Sequence, residues 1–139
     1  MTEEQKDLKD LLLKDLCARL PYGVKFACNK NVYTAKGLDL IVTDEGDWEY
    51  AVTAKGIAPI EIDFIKPYLF PLSSMTEEQR KEYDSIIYHS VELHYDRYYE
   101  VIDVDSFKEL QDFYHINHLD YRGLIPMDLA IDATGLNIY

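Results

Sequence analysis

"VKFACNKNVYTAKGLDLIVTDEGDWEYAVTAKGIAPIEIDFI" (Val24–Ile65) is the stretch that decides the fold. Short runs of β-branched and aromatic residues alternate in it with turn residues. "VKFAC" ends at "NKN", "VYTAKGLDLIV" at "TDEGD" and "WEYAVT" at "AKG". The last run, "IEIDFI", alternates cleanly, with Ile60, Ile62 and Phe64 on one face and Glu61 and Asp63 on the other. Gly37, inside the second run, predicts a bulge or a bend. Four short strands with tight connections predict an antiparallel meander, open or curled into a small barrel.

A helix precedes this region. "MTEEQ" (Met1–Gln5) recurs at Met75–Gln79, and both copies fit a capping box. The Thr hydroxyl accepts from the backbone three residues on, and the Gln side chain reaches back. Glutamates in the first turn favour the positive end of the helix dipole. The copies diverge after five residues, so the repeat marks two helix starts and no duplicated domain. Leu8, Leu12, Leu16 and Leu20 follow a spacing of four, widened by Leu11, Leu13 and Cys17. Lys6, Asp7, Lys9, Asp10, Lys14 and Asp15 are expected on the solvent side. "LPYG" ends the helix, because Pro21 disfavours helical geometry at Leu20 and Gly23 allows a sharp exit.

Beyond the strands, "KPYLFPLSSM" (Lys66–Met75) carries Pro67 and Pro71, which predict an extended connector and no central strand. The second helix is expected from Thr76 to about Tyr88. "VELHYDRYYEVIDV" (Val91–Val104) reads as strand or hairpin with "YDR" as the turn, or as a continuation of the helix. Asp105 or Ser106 caps a third helix, whose apolar side is Phe107, Leu110, Phe113 and Tyr114. The tail "LIPMDLAIDATGLNIY" packs as a final turn or helix. The expected class is therefore α+β in a single domain, 1–139. It comprises a helix over 1–20, a four-stranded sheet over 24–65, a connector over 66–75 and a helix-rich part over 76–139.

Composition narrows the function. The 139 residues carry 26 acidic and 14 basic side chains, a net charge of −12. Duplex binding needs a Lys/Arg face that releases counterions, and none is visible, so nucleic acid is not an expected partner. No apolar run reaches membrane-spanning length. The acidic start is unlike a secretory signal, which makes the cytoplasm the expected compartment. Cys17 and Cys28 lack metal-finger spacing and are expected as buried free thiols.

Three stretches resemble a family of small uncharacterised proteins common on phages and mobile elements of gut anaerobes. They are "KDLCARLPYGVK" (Lys14–Lys25), "KPYLFPLSSMTEEQRKEY" (Lys66–Tyr83) and "NHLDYRGLIPMDLAI" (Asn117–Ile131), about a third of the chain. The chain departs from the family pattern at Asn117-His118, where paired histidines are usual, and at Met127-Asp128, where Lys-Gly is usual. The resemblance implies a phage or mobile-element setting, with no activity, cofactor or catalytic residue.

Candidate chemistry is sparse. His115 and His118, three apart, with Asp120 beyond, form the best metal candidate and would suit a metal-dependent hydrolase. No G-x-S-x-G elbow or glycine-rich phosphate loop occurs, and no cofactor is implied. An enzyme is therefore the less favoured class. Tyrosine is in excess, with 12 copies. Tyr95, Tyr98 and Tyr99, flanked by Glu92, Asp96 and Glu100, form a candidate interaction patch for a protein with a basic surface. Self-association through that patch or a sheet edge is an alternative. So is an acidic mimic of nucleic acid that inhibits a host enzyme. Arg122, in "DYRG", reads as a structural anchor paired with a carboxylate.

Overall fold

The computed structural model describes residues 2–89, 91–94, 97–100 and 104–139, and within 88–106 the description is confined to the backbone. Among these residues three helices and an open, mixed sheet make an α+β fold. In chain order the elements are α1 (Glu3–Arg19), β1 (Lys25–Cys28), β2 (Asn31–Val42), β3 (Trp48–Ala54), β4 (Ile60–Glu61) and β5 (Lys66–Pro71). There follow α2 (Glu77–His89), β6 (Val91–His94), β7 (Arg97–Glu100), α3 (Val104–Ile116), β8 (Leu119–Asp120) and β9 (Ile131–Asp132).

The sheet runs β4-β3-β2-β1-β5-β8, with β9 also paired to β5. It therefore has seven strands, where the sequence predicts four, and it does not close into a barrel. Its first four strands pair antiparallel, and β8 and β9 join β5 in parallel. Two-residue strands such as β8 and β9 are too short to leave a period-2 signal, which is why they escape sequence reading.

The stretch expected as a connector is instead an interior strand. In β5 the prolines occupy the second and last positions, leaving Tyr68, Leu69 and Phe70 to supply ladder bonds. The Phe70 N–H donates to the His118 carbonyl at 2.8 Å, and the Ala133 N–H donates to the Leu69 carbonyl at 2.8 Å. The run "IEIDFI" departs in the other direction. It pairs only at Ile60–Glu61 and then winds into a 3-10 turn, Ile62–Phe64, which buries Ile62 and turns Phe64 out to solvent.

The bulge falls where Gly37 predicts it, between Ala35 and Gly37 in the β2–β3 register. A Cβ there would lie 3.3 Å from the Thr53 hydroxyl. Both capping boxes form, Thr2 with Gln5 and Thr76 with Gln79. Two apolar clusters result. The larger packs Leu12 and Leu16 of α1 on Val24, Phe26, Ile62, Ile65, Leu69 and Leu124. The smaller joins Ile86 of α2 to Leu110 and Phe113 of α3 and to Leu119. Residues 91–94 and 97–100 pair antiparallel as β6 and β7, so the helical alternative does not hold.

Candidate interaction surface

The buried face of α1 is not purely apolar. Leu12, Asp15, Leu16 and Arg19, each three or four residues from another of the set, all point inward, and Asp15 and Arg19 are fully buried. Asp15 thus lies opposite to its expected side, and Cys17, expected inside, is exposed, whereas Cys28 is buried; both thiols are free. The Arg19 Nε donates to Asp15 Oδ2 at 2.8 Å, and its Nη2 donates to the Leu119 carbonyl at 2.6 Å. Arg122 donates to the other Asp15 oxygen at 3.1 Å. One carboxylate thereby holds two guanidiniums, which anchors α1 to β8 and to the chain just after it.

Aromatic rings enclose this cluster. Both guanidiniums lie over the Tyr121 ring, at 5.3 Å for Arg19 and 4.9 Å for Arg122. Tyr121 stacks on Tyr114 at 4.7 Å, and its hydroxyl is 2.8 Å from His115 Nε2. Tyr22 packs beside His115 and donates to Asp112 at 2.6 Å, a bond that raises its pKa. Burial pushes Tyr114 up to about 12. Part of the tyrosine excess is therefore interior packing. "LCARLPYG" and "DYRGLI", two of the motif stretches, meet here.

The metal candidates separate into other roles. Both oxygens of Asp120 are taken by backbone N–H groups, Leu124 at 2.8 Å and Ile125 at 2.9 Å, so this carboxylate caps the turn after β8. His115 is buried beside Tyr121, and burial lowers its pKa. His118 takes a left-handed conformation just after α3 and stacks on Tyr139 at 3.6 Å. Burial, aided by Arg19 and Lys25, lowers it to about 4. Among the described residues no group of His, Cys, Asp and Glu side chains is arranged to hold a metal ion.

Of the tyrosine patch, Tyr95 and Asp96 lie outside the described residues. In the β6–β7 register Glu92 pairs with Tyr99, Leu93 with Tyr98 and Val91 with Glu100.

Among the described residues, a continuous group of exposed apolar side chains lies elsewhere. Val42 pairs with Trp48 and Leu40 with Tyr50 across the β2–β3 hairpin, which sets all four on one face. They are exposed by 54, 67, 48 and 46% respectively. The next pair inward on this face, Leu38 and Val52, packs in the core, so an apolar strip runs outward from the core into solvent. Gly46, at φ 85°, closes the hairpin by donating to the Thr43 carbonyl at 2.9 Å.

Behind the strip lies a cleft of about 530 Å³, between the hairpin and the 3-10 turn at Ile62–Phe64. Asp44, Glu45, Asp47, Glu49, Glu61 and Asp63 line it. Lys9 from α1 reaches Glu49 at 2.6 Å and Asp63 at 3.1 Å. Burial alone would lower the Lys9 pKa, but these two carboxylates raise it. Among the described residues Asp44, Glu45, Asp47 and Glu61 have no ion-pair partner. A further groove of about 470 Å³ runs along α1 over Leu8, Leu12, Ile65 and Leu129, its two lysines already paired with carboxylates.

The hairpin face was missed because no single run announces it. Its signal is relational: "TDEGD" is a tight loop, so Val42 and Trp48 must face one another across it. No helix among the described residues is long and apolar enough to cross a membrane. Compared with protein-family models, curated proteins and solved structures, the chain matches none.

Proposed function

We propose that this chain is a non-enzymatic accessory protein of a phage or mobile element that acts in the host cytoplasm by binding another protein. The observation that carries the reading is the apolar face of Leu40, Val42, Trp48 and Tyr50, with unpaired carboxylates beside it. Aromatic residues surrounded by a polar rim are the usual make-up of a protein contact. The acidic surroundings favour a basic partner. The phage setting rests on the resemblance of the three motif stretches.

The acidic-mimic reading has less support, since it needs carboxylates spaced along one face and six of them gather at one cleft. The hydrolase reading loses Asp120 to its backbone bonds.

Affinity capture from host lysate with the Val42→Asp/Trp48→Asp variant tests the proposal. Loss of captured partners with unchanged circular dichroism is the expected result, and an unchanged set sinks it. Tyr98→Ala/Tyr99→Ala is the parallel variant. If only that pair loses partners, the contact belongs to the β6–β7 pair.

A further inference from the structure

The open edge of β3 adds a second feature to this surface. β4 pairs with β3 only through Ala51 and Val52, after which the chain winds into the 3-10 turn. Trp48, Glu49 and Tyr50 therefore have no strand opposite them on that side among the described residues. The hydrogen-bond parity of the hairpin fixes which groups face the gap. The Thr43 N–H donates to the Asp47 carbonyl at 2.8 Å, so Thr43 and Asp47 form a bonded pair. Bonded and non-bonded pairs alternate, so Val42 and Trp48 form a non-bonded one. The N–H and C=O of Trp48 thus point away from β2, toward the open side.

We propose that the occupant of this surface is an extended, basic segment of the partner, added as a strand along β3. The inference rests on the contact reading above and deepens it. Side chains of an added strand alternate between faces. One set would lie against Trp48 and Tyr50. The other set would enter the cleft lined by Asp44, Glu45, Asp47 and Glu61. The segment recognised is therefore one in which apolar residues alternate with Lys or Arg.

Charge selects this occupant over a second copy of the chain. A second copy brings another net −12 and the same carboxylates to the edge, and like charges repel there. β3, "WEYAVTA", carries neither Lys nor Pro, the residues that commonly blunt an edge strand. Its guard is acidic only, which repels acidic segments and admits basic ones.

Trp48 is the only tryptophan, so its emission reports occupancy directly. The probe is a short Trp-free peptide alternating Lys and Val, titrated into the full chain. A saturable blue shift that weakens with added salt is expected. Three comparison peptides are a Lys-block/Val-block peptide of equal composition and two alternating peptides N-methylated on opposite parities. The block peptide and one N-methylated parity should bind about tenfold more weakly, since each forfeits ladder bonds or one face. The other parity should bind normally.

Equal binding by the block peptide, or by both parities, overturns strand addition. So does a dimer in light scattering that Trp48→Asp dissolves. Absence of any shift overturns it too, but leaves the contact reading standing if Val42→Asp/Trp48→Asp still loses its partners. Failure of both experiments removes both readings.

Discussion

Two parts of this molecule use the same materials, carboxylates beside aromatic rings, to opposite ends. Around Asp15 every charge is drawn inward. Two guanidiniums meet one buried carboxylate, and Tyr121 covers them both. At the tip of the β2–β3 hairpin the aromatic rings stand in water, and Asp44, Glu45 and Asp47 have no ion-pair partner among the described residues. The difference teaches that residue type does not assign a role here. Enclosure does, because a buried charge must be paired and a surface one need not be.

Breaking the buried side should have the largest effect. Asp15→Ala leaves Arg19 fully buried without its carboxylate, and is expected to cost about 3–5 kcal/mol in a denaturant melt. A loss below about 1 kcal/mol would mean that the cluster is held mainly by its rings and by Leu119. Next is acid. His118 sits at about 4 in the folded chain against about 6.5 unfolded, so the unfolded state binds the proton first. Stability is complete above pH 6.5 and falls as pH drops toward 4. The expected loss is about 1–2 kcal/mol, since a part-exposed ring is screened. His118→Phe should flatten that slope, read from melting temperature against pH.

A smaller effect belongs to the helix starts. Thr76→Ala removes the bond to the Gln79 N–H and should cost about 1 kcal/mol, measured by thermal melting. The exposed side should respond least. Trp48→Ser is expected to shift stability by less than about 0.5 kcal/mol, because the ring covers little of the core. A large loss at Trp48 would collapse the contrast, since it would place the strip among the structural elements.

Much of the frame was legible in the sequence because it depends on local pattern. The capping boxes, the first three strands, the bulge at Gly37 and the third helix all announce themselves within a few residues. Arg122 also reads correctly as an anchor, and its carboxylate is Asp15. The misreadings share one cause. Asp15 reads as solvent-facing because a charge on a leucine helix normally is, and pairing with Arg19 and with Arg122, 107 residues away, reverses that. The proline-bearing Lys66–Pro71 reads as a connector because its parallel partners lie far along the chain.

The sequence by itself determined where the first two helices and the first three strands begin, and the acidic balance. Periodicity, caps and net charge are properties of neighbours or of sums. Tertiary structure alone decided which charge is buried, which histidines are pushed below their usual pKa and which hydrophobic strip is left in water. Those outcomes depend on desolvation, and desolvation is set by whatever distant segment packs on top.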